Sequence, residues 1–534
     1  MNPKILKTQT LVRVGVILAI LILLNIVSIR IFTRLDMTAN NLFTLSDASK
    51  ELMQSIDDMV TIRAYFTEDL PAPYNNHRRV LLDQLNEYRA YAGGNLQFEF
   101  INPTGEGGER EAQQEGIAPV QIQVVKEDKF EVKRAYMGMV FLYEDRKEII
   151  PLIQNTGRLE YEISTTIKRL VSREQKKIGF LAGHGEPTLD DLKNVQEVLR
   201  KQYLLESVEL TGGRSVPPGV AALVVMAPTS SIPEPEKFQI DQYLMRGGRV
   251  AFLLNRVSAD LQSRLGRTLD VNLDDMLESY GLRVNSDLIR DIQCANVSIV
   301  QQQFGFSIQS QVPFPYLPLA TKMHPDNTMV KDLQGIVFFF VSSVDTTNLA
   351  ARNLYGEILV HSSDQSGRQT GTFAFDPLQK FTPEEFSESG IPLAALVTGS
   401  FQSAYSGRPV PTDTSVTAPP PVSQPLNGSP ETRVVLVGDG DFARDQYLSN
   451  RGNLNFLANM VDYLVDDDGF ISIRSKEVSM PPLEQVSDGT KKMLKYGNLA
   501  LPPLLVLGYG LMRWRMRKSR RKALEVQHQE GPEE

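Results

Sequence analysis

The chain has a single cysteine, Cys294, in 534 residues, which excludes an intrachain disulfide framework and any metal site built from several thiolates. Histidine is nearly as scarce. His77, His184, His324, His361 and His528 are widely spaced and leave little material for a histidine-rich metal site. There is no Cys-x-x-Cys, which removes dithiol redox chemistry, and no G-x-S-x-G, which leaves a hydrolase elbow unsupported. The phosphate cradle G-x-x-x-x-G-K-S/T is also missing, so the chain is not expected to hydrolyse ATP by itself. Nor is there an excess of positive charge: 56 Lys plus Arg face 64 Asp plus Glu, a net −8 that argues against nucleic acid as a partner.

What is present suffices for a large, metal-poor globular protein. The length suggests about three folding units at roughly 100 to 200 residues each. With 42% hydrophobic and 22% charged residues the chain can bury several cores.

Two apolar runs stand near the ends. Residues 11–32 carry only Arg13 and Arg30 as charges, are long enough as a helix to cross a bilayer, and lack a good small-x-small cleavage site after them, so they read as an uncleaved anchor. Residues 496–512 are uncharged but short and contain Asn498, Pro502 and Pro503; the dense basic run from Arg513 to Lys522 behind them reads as a cytoplasmic stop. Subtracting the +4 of residues 1–32 and the +3 of residues 513–534 from −8 leaves −15 for the rest, a distinctly acidic body between basic ends that anionic membrane lipid would attract.

Between the runs the pattern is α/β. Residues 60–66 and 96–101 read as parallel strands joined by a helix that ends at Gly93-Gly94. Strands at 121–126, 134–143 and 148–151 and a helix at 159–172 follow, with Pro119 just ahead of the third strand. That order resembles a thioredoxin-like fold without its cysteines. From Lys177 onward, continuous apolar strands at 177–181, 221–227 and 249–255 alternate with helices, the pattern of an open, doubly wound parallel sheet covered on both faces. Residues 292–401 turn strand-rich, including a strand at 335–344. Residues 406–431, rich in Pro, Ser and Thr, read as a disordered insertion. Strand 432–437, helix 453–464 and strand 469–474 are expected to rejoin the sheet begun at Lys177.

Two loops hold the candidate chemistry. Gly183-His184-Gly185-Glu186 ends a strand, where open α/β sheets bind ligands, and His184 with Glu186 could supply a general base or two metal ligands. A tight glycine turn with both side chains bonded to neighbouring loops is the plainer alternative. Gly438-Asp439-Gly440-Asp441 with Asp445 also lies between a strand and a helix and could meet the first loop at one sheet edge. Three carboxylates can hold calcium, but the EF-hand series is incomplete, and Asx turns and helix capping explain the same residues. Cys294 has no glycine-flanked elbow and reads as an inert thiol. No cofactor is expected.

Several segments taken together resemble the family of ABC-transporter auxiliary proteins typified by the gliding-motility subunit GldG. They are Leu35-Asp36-Met37-Thr38 through Phe43-Thr44-Leu45-Ser46, residues 60–71 (VTIRAYFTEDLP), 183–186 (GHGE), 392–401 (PLAALVTGSF), 438–442 and 453–474. The resemblance implies a noncatalytic, membrane-anchored subunit beside a separate ABC-2 type permease and a cytoplasmic ABC ATPase. It also implies a larger domain like class I glutamine amidotransferases but without their Cys-His-Glu set, and a relative of that domain in an intraflagellar-transport protein. The motility role is not carried over, since similar subunits occur in bacteria that do not glide. On this reading residues 1–10 are a cytoplasmic N-terminus, 11–32 a transmembrane helix, 33–175 a thioredoxin-like periplasmic domain, 176–475 the larger periplasmic α/β domain, 476–495 a linker, 496–512 a second transmembrane helix and 513–534 a basic cytoplasmic tail. The protein would sit in a bacterial inner membrane with two spans, both termini inside. The alternatives are an enzyme acting on envelope polysaccharide or peptidoglycan through His184 and Glu186, or a structural adaptor. An envelope protein or a glycan is the candidate ligand.

Overall fold

The computed structural model describes residues 44–465, 471, 473 and 488–529, less residues 69, 72–73, 105, 127–128, 154, 173–174, 304–305, 332, 348, 412–423 and 448–449. The chain forms two compact units, Met1–Ser479 and Met480–Glu534.

The first part of the larger unit is a four-stranded sheet ordered Leu96–Ile101, Val60–Phe66, Met137–Tyr143, Arg146–Ile150. The first two strands run parallel, as a β-α-β unit requires, and the other two are added antiparallel. Helices His77–Tyr91 and Leu159–Val171 cover it with Leu81, Leu85, Tyr88, Ile163 and Ile167, all fully buried. The expected third strand behaves differently. Val120–Lys126 leaves the sheet and pairs with Lys129–Ala135 as a separate hairpin, so Pro119 precedes that hairpin and the sheet's third strand is Met137–Tyr143.

The second part is an eight-stranded mixed sheet. Five strands run parallel in the spatial order Leu204–Glu209, Lys177–Ala182, Val220–Met226, Val250–Leu253, Gly428–Val437. Numbered along the chain this is 2-1-3-4-5, an order whose direction reverses between the first and third strands. Pro392–Gln402, Leu354–His361 and Lys322–Met323 extend it antiparallel. Helices Lys193–Leu199 and Arg451–Leu464 bury one face with Val195, Leu199, Phe456 and Val461. Glu234–Met245 and Asp274–Ser279 bury the other with Ile240, Leu244, Met276 and Leu277. Near-continuous apolar strands such as VAALVVM at 220–226 follow from that two-sided cover.

The late strand does rejoin the sheet, pairing Val434 with Val250. It begins earlier than expected: Gly428 already pairs with Gln402, so the end of the 406–431 stretch is strand, while 412–423 lie outside the described residues. Residues 335–344 hold only short strands at Ile336–Val337 and Val344–Thr346, because Phe340 turns through a left-handed φ of 55° between them. Most of 469–474 lies outside the described residues; Ile471 and Ile473 are helical and buried, and Ile473 packs on Tyr161 of the first part.

The membrane architecture requires correction. Segment 11–32 lies outside the described residues. Tyr496 to Met512 belong to a 42-residue helix, Asp488–Gln529, and among the described residues no helix is long and apolar enough to cross a membrane. The cause is compositional: Asn498, Pro502, Pro503 and three glycines dilute the run, and Arg513, Arg515 and Arg517 follow at once. The structure therefore contradicts a fold with two flanking transmembrane helices and a two-span inner-membrane location with a periplasmic body.

Candidate functional site

Both candidate loops leave the carboxyl ends of parallel strands, His184 after Lys177–Ala182 and Asp439 after Gly428–Val437. Contacts link them: Asp445 bonds the helix that follows the first loop, and Thr229, whose N–H donates to the His184 carbonyl, lines a cavity beside Asp441.

His184 is 4% exposed. Its Nδ1 lies 3.1 Å from Glu186 Oε1 and its Nε2 lies 3.0 Å from Oε2 of Glu236, in the first turn of helix Glu234–Met245. The Glu236 contact is a close charge pair, off the line of a hydrogen bond. The second Glu186 oxygen accepts the His184 backbone N–H at 2.6 Å. The hydrogen bond to Glu186 raises the imidazole pKa, against burial, with the Glu186 and Glu236 charges adding to the rise. Burial alone would push the Glu186 carboxyl up, but the bonds from the His184 ring and from backbone N–H groups together hold it below its usual range. The His184 carbonyl accepts the N–H groups of Thr229 and Ser230, each at 2.9 Å. This loop therefore seals the switch point between the first and third strands. Gly185 permits the closure: its φ is +80°, and a Cβ there would stand 2.0 Å from Thr229 Oγ1. The buried ring thus lies clamped between two carboxylates, hydrogen-bonded to Glu186 and in charge contact with Glu236.

Asp439 is fully buried and accepts the N–H groups of Phe339 and Asp441, each at 2.7 Å. Burial first, then the Asp441 charge, push its carboxyl well above the usual range. Asp445 accepts the N–H groups of Lys193 at 2.7 Å and Asn194 at 3.1 Å, capping helix Lys193–Leu199 from a remote loop. Capping and turn formation thus account for both residues. Among the described residues no group of three His, Cys, Asp or Glu could hold a metal. Cys294 sits in strand Cys294–Gln303, and burial raises its thiol pKa.

Asp441 faces an open cavity of about 600 Å³ outside the ends of Val220–Met226, Val250–Leu253 and Gly428–Val437. Asn255 donates to Asp441 Oδ2 at 2.7 Å and Arg444 donates to Oδ1 at 2.9 Å. Phe339 and Tyr447 form an aromatic wall with ring centroids 4.6 Å apart. The loop carrying Asp441 needs close backbone approach: a Cβ on Gly440 would stand 2.6 Å from the Leu253 carbonyl. Sequence reasoning found Asp441 but missed Asn255, Arg444, Phe339 and Tyr447. Asn255 had a signal, as a polar residue closing the apolar strand VAFLL; the aromatic pair, far apart in the chain, had none.

The family described as ABC-type uncharacterized transport system matches residues 175–466, more than half of the chain and the whole eight-stranded sheet. The chain belongs to this family. Its members are transport-system proteins rather than an enzyme family, and the match makes this family member a transporter-associated auxiliary protein, consistent with the GldG-like resemblance. A domain model of unknown function matches residues 39–142. An uncharacterized protein of Borreliella burgdorferi is 22% identical over 510 residues, covering 92% of this chain and 95% of its own. Among solved structures, the chain is similar to the mmIFT52 N-terminal domain, with 17% identity, a TM-score of 0.33, and coverage of 54% of this chain and 97% of that domain. An exo-beta-1,4-mannosidase of an Opitutaceae bacterium gives 8% identity and a TM-score of 0.21, over 75% of this chain and 50% of its own.

Proposed function

We propose that this family member is the noncatalytic auxiliary subunit of an ABC transporter, working beside a separate permease of the ABC-2 type and a cytoplasmic ATPase. The observation that carries this reading is family membership, with which a sequence lacking the G-x-x-x-x-G-K-S/T phosphate cradle agrees. The loop at the sheet's switch point is filled by the clamp of His184, Glu186 and Glu236, and no phosphate cradle occurs in the sequence. On this reading the energy for transport comes from another chain. The contribution of this subunit is binding: contacts made in only one state of the transporter bias its cycle by their differential free energy.

Co-expression with the permease and ATPase, detergent extraction and affinity purification through this chain test the reading. A ternary complex is expected, in which ATP turnover depends on the ATPase subunit. Purified chain that turns over ATP alone, or a transporter whose assembly and activity are unchanged when the chain is deleted, would overturn it.

A further inference from the structure

The cavity beside Asp441 is not explained by capping, by core packing or by the transporter reading. We propose that it is a binding site for a neutral, polyhydroxylated ligand, a saccharide of one to a few rings. The cavity lies where open α/β sheets hold ligands, and its volume of about 600 Å³ is in the range of small-molecule sites.

Its chemistry selects the class. Both apolar and polar residues line the wall, which matches a sugar ring, whose C–H faces alternate with a rim of hydroxyls. The Phe339–Tyr447 pair, with ring planes 34° apart, supplies aromatic surface for such a face. In the same lining, Asp441 is held in place by Asn255 and Arg444 through one hydrogen bond to each oxygen. A carboxylate has about four acceptor positions, so two remain for ligand hydroxyls. Arg444 Nε is buried and, among the described residues, has no hydrogen-bond partner. The backbone is preformed by unusual means: Ala227 and Phe340, both in the wall, have left-handed φ values of 45° and 55°.

Charge excludes the main competitor. The lining holds the carboxylates Asp260 and Asp441 against one guanidinium, Arg444, already paired with Asp441. A phosphate or carboxylate ligand would meet net repulsion there, whereas a neutral polyol meets acceptors that are oriented and only partly occupied.

The inference stands without the transporter assignment, because it is tested on the purified full chain with no permease present. Neutral di- and trisaccharides of glucose, galactose and N-acetylglucosamine, at up to about 10 mM, are titrated by calorimetry and by saturation-transfer NMR. Binding of at least one is expected, weakened about tenfold or more by Asp441→Asn and by Tyr447→Ala. Thermal melts of both variants establish that they are folded; if Asp441→Asn does not fold, Tyr447→Ala alone decides. Absence of binding by every saccharide, binding unchanged in the folded variants, or selective binding of phosphorylated or amine ligands instead would each overturn the proposal.

Discussion

His184 shows what a single side chain can fix when its partners come from two elements. The imidazole pKa is raised from 6.5, so its charged contribution to stability is complete below 6.5 and fades as pH climbs through the raised value. Glu186 is depressed from 4.5, so its contribution is complete above 4.5 and fades as pH falls through the lowered value. The clamp is therefore strongest between those two ordinary values. His184→Gln should be destabilising in urea unfolding, with the gap to the unmodified protein largest near about pH 5 to 6 and shrinking toward alkaline pH. A gap independent of pH would show that the ring acts only by packing. His184→Ala, which leaves two buried carboxylates facing each other, should cost about 3–5 kcal/mol. The sequence exposed half of this arrangement. His184 and Glu186 stand two positions apart and were visible, but Glu236 is fifty residues on, and nothing local announces that its helix delivers it to the ring. The same limit kept a base or metal ligand open beside the plainer reading of a bonded glycine turn.

Among elements, helix Lys193–Leu199 is the one whose stability is least its own. At seven residues it is too short to persist unaided, and its first N–H groups depend on Asp445. Asp445→Ala should lower stability by about 1 kcal/mol and speed amide exchange across 193–199, with Asp445→Asn restoring most of the loss. Unchanged exchange would assign the carboxylate another role. The turn Asp445–Tyr447 thus ties a helix with its first residue and carries the aromatic wall of the cavity with its last. Parallel strands were readable because burial on both faces makes them uniformly apolar, as in 220–226 and 250–253. Phe338 to Phe340 have the same composition yet form a bend, held by Asp439 accepting the Phe339 N–H and by the left-handed Phe340. Composition cannot separate those cases, since the deciding bond comes from a residue about a hundred positions away. The hairpin Val120–Lys126 with Lys129–Ala135 misled for a related reason: alternation identifies a strand but does not name its sheet.

At the scale of the whole chain, the division after Ser479 separates the body that carries the sheets and the cavity from the unit containing helix Asp488–Gln529. A chain ending at Ser479 should keep the calorimetric midpoint of the full-length protein. A lowered midpoint would mean that residues 480–534 contribute to the core.

The placement of Gly428–Val437 has a consequence for synthesis. This strand lies between Val250–Leu253 and Pro392–Gln402, so the middle of the main sheet stays open until residues near Val437 have left the ribosome. Until then Val250, Ala251, Phe252 and Leu253 present an unpaired apolar edge. Such non-local, parallel closure is slow and exposes the nascent chain to aggregation, so folding in the cell should depend on chaperones holding that edge.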